Sequence, residues 1–230
     1  MFLEKMLISL SFILVLLASF IISSGIKGIG VKNANYITVK GLSEREVLST
    51  FSSWSLNYEL GGNSVEEINK LNNANLLRIK DFFVSYGFHE DEIDMLNMSL
   101  NIANYRDTLY KYNAYVSLGV RTADVDKMEK ASKNITELYN KGVLLNSNLG
   151  PRYYFDKIND VKPDMLADSI KNAYSAALEF AHHSGVALGK VKTANQGYFE
   201  FIPIDRSDED HARYSKKILR VVTTVSYYLD

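Results

Sequence analysis

SWSLNYEL, Ser53 to Leu60, is the stretch from which the fold can be read, and GGNS, Gly61 to Ser64, follows it directly. Trp54, Leu56, Tyr58 and Leu60 alternate with Ser53, Ser55, Asn57 and Glu59, the period of two of a strand with one buried face and one wet face. Gly61, Gly62 and Asn63 break that pattern. Ser64 with Glu67 three residues later is a capping-box signature, because each side chain satisfies a backbone N–H left free at a helix start. The helix it opens carries Ile68, Leu71, Leu76, Ile79, Phe82 and Phe83 and stops at Gly87.

Working outward, YITVK, Tyr36 to Lys40, reads as an earlier strand ending at Gly41. A third strand is predicted over Asp94 to Ile102, with Leu96, Met98, Leu100 and Ile102 on one face, and a fourth over Tyr110 to Arg121, joined by a polar connection from Ala103 to Thr108. Asp124 suits the cap of a helix bearing Val125, Met128, Ile135 and Leu138 to about Asn140, with Gly142 past its end. Val143 to Leu145 and Arg152 to Phe155 read as short strand pieces. An Ala-rich helix is expected from about Pro163 to Gly185, followed by strands at Leu188 to Ala194, Tyr198 to Pro203 and Lys217 to Leu229. Hairpins mixed with helices predict an α+β fold, an antiparallel sheet with helices packed on one side.

Before this domain stands MLISLSFILVLLASFIISSGI, 21 uncharged residues between Lys5 and Lys27. As a helix at about 1.5 Å per residue it reaches roughly 31 Å, enough for a hydrocarbon core of about 30 Å. An uncleaved anchor and a cleaved signal peptide both fit. Length favours the anchor, since Met6 to Ile22 already exceeds a signal core of about 7 to 15 residues. The expected organisation is 1–27 signal anchor or signal peptide, 28–35 linker and 36–230 folded domain, with the domain carried out of the cytoplasm. The net charge of −1 gives no electrostatic case for nucleic acid. The absence of cysteine excludes disulfides, thiolate nucleophiles and iron–sulfur ligation.

Candidate chemistry is sparse. His182 and His183 are adjacent near a helix end, where neighbours diverge by about 100° and cannot chelate together as an i, i+4 pair does. They are expected to complement the helix dipole. His211 ends the run Asp208, Glu209, Asp210, which could hold a cation through oxygen, but the spacing lacks the Gly turn and distal Glu of a calcium loop, so a solvated acidic loop is expected. His89 with Glu90, Asp91 and Glu92 is expected to face water. There is no G-x-S-x-G elbow, and GIKGIG at Gly25 to Gly30 follows no strand and opens no helix, so it reads as a linker. The pattern supports no catalytic, cofactor-binding or metal-binding residue and no enzyme. Tyr153, Tyr154, Phe155, Tyr198, Phe199 and Phe201 crowd into two segments; successive strand residues point to opposite faces, so core packing under a helix and contact with another subunit are both open.

YITVKG, the helix ending in Gly87 before a polar strand, YKYNAYVSLGV with the helix from Asp124, EFAHHSGVALGKV, and ANQGYFEFIPID before VVTTVSYYLD together resemble the SIMPL domain, also called DUF541, in its bacterial exported members. The resemblance covers nearly everything after the leader. It implies a SIMPL-like α+β fold, a place in the bacterial envelope, either anchored in the inner membrane with a periplasmic domain or free in the periplasm, and a homo-oligomer. It further implies a structural or stress-associated role without catalysis. A binding module for a small solute or partner protein is the alternative. The resemblance assigns no role to the loop Arg206 to Arg213.

Overall fold

A computed structural model describes residues 19, 35–103, 109–146 and 148–230. The leader expected over 1–27, residue 19 apart, the linker before Asn35 and residues 104–108 of the Ala103 to Thr108 connection lie outside these residues. Among the described residues no helix is long and apolar enough to cross a membrane.

The strands form two antiparallel sheets, where the sequence suggested one. β1 (Tyr36–Leu48), β7 (Lys216–Leu229) and β6 (Leu188–Pro203) make a three-stranded sheet in that order. β3 (Ile93–Ile102), β4 (Tyr112–Thr122), β2 (Phe51–Gly62) and β5 (Arg152–Tyr154) make a four-stranded one. The chain changes sheets within two residues. Ser49 N–H donates to Ser215 O at 2.8 Å, beside β7, and Thr50 N–H donates to Tyr154 O at 2.7 Å, in β5. Nothing in the local alternation marks such a change of partner, because alternation reports which face is buried and not which strand lies alongside.

The four-stranded sheet is built as the opening stretch predicts. Trp54, Leu56, Tyr58 and Leu60 are buried beneath α1 (Val65–Ser85), whose Ile68, Ile79, Phe82 and Phe83 meet them; Phe83 stands edge-on to Trp54 at 5.8 Å between ring centroids. The start of α1 has its cap: Ser64 Oγ accepts from Glu67 N–H at 3.1 Å, and Glu67 Oε2 accepts from Asn63 N–H at 2.8 Å. α2 (Val125–Lys133) and α3 (Thr136–Asn140) also cover this face, as two helices where one was expected. The break is at Asn134, whose side-chain amide donates to Lys130 O at 2.9 Å and competes with the helical ladder. In β3 the register shifts between Met95 and Asn97. That bulge puts Met95 opposite Leu118 on the helix side and lays Leu96 over Gly119 on the other side, so Leu96 does not share a face with Met98, Leu100 and Ile102 as the simple alternation predicts. Val143 to Leu145 forms no strand.

The three-stranded sheet is covered by one helix, α4 (Ile158–Ser184), which lies over β1 and β7 and barely touches β6. It begins before Pro163, because Ile158 and Val161 join the apolar cluster around Met165 and Leu219, and this burial overrides the proline signal. β1 continues through Gly41, which is needed for close approach instead of a turn: a Cβ there would overlap the Ser169 carbonyl oxygen. Ser169, Ala173, Ala177 and Ala181 form the seam on that strand pair, and Gly185 closes the helix with φ of 69°. β6 is continuous from Leu188 to Pro203, its register shifting at three points where two strands were expected.

Candidate functional site

Among the described residues both sheets carry helices on one face only, and the open face of the four-stranded sheet ends in a cleft. The wet half of the opening stretch, Ser53, Ser55 and Asn57, forms its floor. Leu149, Gly150 and Arg152 rise on one side, and Glu209, Asp210 and Arg213 close it from the β6–β7 loop, enclosing about 490 Å³. Both walls are held in place. Asn148 Oδ1 accepts from Trp54 Nε1 and from Gly150 N–H, each at 3.1 Å, which ties the loop before β5 to the core beneath the sheet. Asp210 accepts from Ala212 N–H at 2.9 Å, capping a short turn at His211–Arg213, and pairs with Arg152 across the cleft at 2.9 Å. Asn57 also lines a second hollow of about 310 Å³ with Asn97, Tyr115, Ser117 and Asn146, so a polar trough runs along the sheet away from the cleft.

Under the cleft lies the join between the two sheets. Lys217 is 1 % exposed, reaches from β7 to β5 and donates Nζ–H to Tyr153 O at 2.7 Å. Burial pushes its pKa down to about 8, the Asp210 carboxylate working against the fall and Arg152 with it. Tyr153 is buried on the other side of the same strand, and burial pushes its phenol up to about 12. Asp210 is held below the usual carboxylate range by the Ala212 N–H and by Arg152, so it stands as an acceptor. His211 lies flat on Phe201 at 5.4 Å, and burial with the nearby Lys217 charge lowers its pKa. The loop Arg206 to Arg213 therefore has a definite place. Arg206, at φ of 57°, holds Glu44 through both terminal guanidinium nitrogens, and the rest of the loop docks on β5 as a cleft wall.

The SIMPL family model, described as a protein of unknown function (DUF541), matches residues 37–217. The chain belongs to the SIMPL family. No curated protein matches its sequence. Among solved structures, an amidase of the hydantoinase/carbamoylase family from Burkholderia phymatum is similar at 12 % identity and a TM-score of 0.27, over 55 % of this chain and 33 % of that one. The SIMPL chain thus spans about a third of the amidase. An uncharacterized conserved protein from Listeria innocua is similar at 13 % identity and a TM-score of 0.19, over 78 % of this chain and 91 % of that one.

The histidines of this SIMPL domain do not converge. His182 and His183 sit at the end of α4, their rings 5.3 Å apart and edge-on, with His183 3.6 Å from Glu179. Among the described residues no group of three His, Cys, Asp or Glu side chains is placed to hold a metal ion. The acidic run after His89 does more than face water. Glu92 pairs with Lys127 at 2.6 Å, with both side chains mostly buried; burial alone would raise its pKa, but bonds from Lys127, Thr122 and the His89 N–H outweigh this and lower it. His211 likewise is docked, where a solvated loop was expected. The crowded aromatics divide by position: Tyr153, Phe155, Phe199 and Phe201 pack into the cores, while Tyr154 is exposed and Tyr198 stands 96 % exposed at the register shift in β6.

A second surface was not anticipated from sequence. Because α4 leaves β6 uncovered, Ile170 and Tyr174 face Val191 and Tyr227 across an open apolar groove of about 630 Å³. Ile170, Tyr174 and Leu178 are each about half exposed, one helical turn apart. The signal was present as apolar positions one residue past Ser169, Ala173 and Ala177 of the seam, and it is easily lost beside the Ala spacing.

Proposed function

We propose that this SIMPL-domain protein is a non-catalytic component of the bacterial envelope, tethered to the membrane by its N-terminal apolar segment, that works as an assembly of copies of itself. The observation that carries the reading is the uncovered flank of α4 and β6. A half-exposed apolar row on a helix beside the bare face of an edge strand is the kind of surface that a subunit contact covers. The tether follows from the 21 uncharged residues of the leader, and the short chain to Asn35 keeps the domain near the bilayer. The test is the mass of the full chain extracted in a mild detergent, by light scattering. A particle several times the 26.0 kDa subunit, reduced to one subunit by Ile170→Glu, agrees with assembly through this flank. A monodisperse monomer overturns it, and recovery of the chain in the soluble fraction after carbonate washing overturns the tether separately.

A second reading, a binding module, is favoured by the cleft. Its walls are pre-ordered and its polar groups converge, as in sites that fix a ligand's orientation.

A further inference from the structure

The open face of the four-stranded sheet carries Glu59, Tyr115 and Arg121, but much of it is made of residues that a merely wet strand has little reason to use. Asn57, Asn97, Asn101 and Asn113 stand on it, with Ser53 and Ser55, all in strands, although Asn is among the poorer strand formers and Thr or Lys would solvate the face equally well. These side chains offer donors and acceptors at short reach and almost no charge. A ligand that matches them needs both kinds of group at high density along its length.

Shape and charge narrow the ligand further. The trough continues from the cleft past Asn57, and Ser53 to Asn57 alone covers about 14 Å at about 3.4 Å per residue, so the seat suits an extended chain more than a compact solute. Among the described residues Leu149 is the only apolar side chain lining the cleft, which leaves no pocket for a peptide's apolar anchor and no seat for an acyl chain. At the closed end, the Arg152 guanidinium is shared with Asp210, while that of Arg213 is exposed and has no ion-pair partner among the described residues. Glu209, the other carboxylate of the cleft, accepts from the Tyr214 hydroxyl at 3.2 Å, so an unpaired guanidinium at one end of a track of hydroxyls and amides calls for an anionic substituent on a hydroxyl-rich ligand.

We propose that the cleft binds an oligosaccharide bearing carboxylate groups, with Arg213 taking a carboxylate and Ser55 and Asn57 bonding sugar hydroxyls. This deepens the binding-module reading and rests on it; it does not depend on assembly. The single tryptophan is a built-in reporter, since Trp54 Nε1 is bonded to the Asn148 loop that forms one wall.

The full chain, in a detergent without a sugar headgroup, is titrated with oligogalacturonate, with a malto-oligosaccharide of equal length and with oligoglutamate, by calorimetry and Trp54 emission. Saturable binding of oligogalacturonate is expected, at least tenfold tighter than the neutral sugar, weakened about tenfold or more by Arg213→Ala and several-fold by Asn57→Ala. Both side chains reach the surface of the cleft, and an unchanged urea midpoint verifies that the variants fold. Oligoglutamate binding as tightly as oligogalacturonate, with the same loss on Arg213→Ala, overturns the saccharide assignment and leaves the binding module standing. No binding by any of the three overturns the saccharide proposal. Equal binding of neutral and carboxylated sugars overturns the role given to Arg213.

Discussion

Lys217→Met tests the join between the two sheets through its pH dependence. In the folded chain burial brings the Lys217 pKa from 10.5 down to about 8. Between those values the unfolded chain holds a proton that the folded chain has released, so stability rises with pH across this window. At about 1.4 kcal/mol per pH unit the full effect is roughly 3 kcal/mol, of which about 2 kcal/mol falls between pH 7 and pH 9.5. Tyr58 and Tyr153, both pushed up to about 12 by burial, act in the opposite direction, because the unfolded phenols lose their protons first; their effect sets in near pH 10. Methionine fills a similar volume without titrating, and it removes the donor to Tyr153 O at a cost of about 1–3 kcal/mol that does not vary with pH. Relative to the wild type, the variant should therefore lose about 2 kcal/mol between pH 7 and pH 9.5, whatever its standing at pH 7. Urea midpoints of the full chain in mild detergent, followed by Trp54 emission, measure this difference. Parallel pH curves for the two proteins would mean that Lys217 is solvated, and the account of the join would fail.

Gly41→Ala should cost about 3 kcal/mol or more in a urea titration, since the new methyl overlaps backbone atoms of α4 that cannot move without shifting the helix. Ser169→Ala leaves the buried Thr223 hydroxyl without its 2.7 Å partner and should cost about 1–2 kcal/mol; adding Thr223→Val should recover part of this, and a double-mutant cycle reads the coupling. Tyr58→Phe removes the 2.7 Å bond to buried Asn72 and should cost a similar amount, with the Asn72→Leu/Tyr58→Phe pair less destabilised than the sum of the single changes in the same titration. Ile170→Glu should lower the light-scattering mass without lowering the urea midpoint by more than about 0.5 kcal/mol, because it sits at the rim of the groove and outside the core.

How legible the fold was depended on what each signal measures. The face pattern of β2, the Ser64 cap and the strand from Lys217 to Leu229 were all local, and the structure has them. Gly41 and Pro163 misled because each has two uses. Gly41 allows a helix to approach instead of ending a strand, and Pro163 is tolerated inside α4 because Ile158 and Val161 gain burial before it. The division into two sheets was invisible for a different reason. It turns on which neighbours accept from Ser49 and Thr50, and those acceptors, Ser215 and Tyr154, lie more than a hundred residues away.

The cleft illustrates why a site can stand in plain view in a sequence and go unread. In SWSLNYEL the apolar half identifies the strand, and the polar half is passed over as the side that faces water. Its position in the fold changes its meaning: no described helix covers that face, the Asn148 loop is bonded to the core tryptophan, and the β6–β7 loop is drawn across its end by Arg152 and Asp210. The distinguishing mark is chemical identity at the wet positions. Ser and Asn gain nothing in strand stability there, so the polarity of the face is explained by solvation and its composition is not. A ligand that lies along the sheet supplies the missing reason, and it makes the exposed half of the opening stretch the functional half.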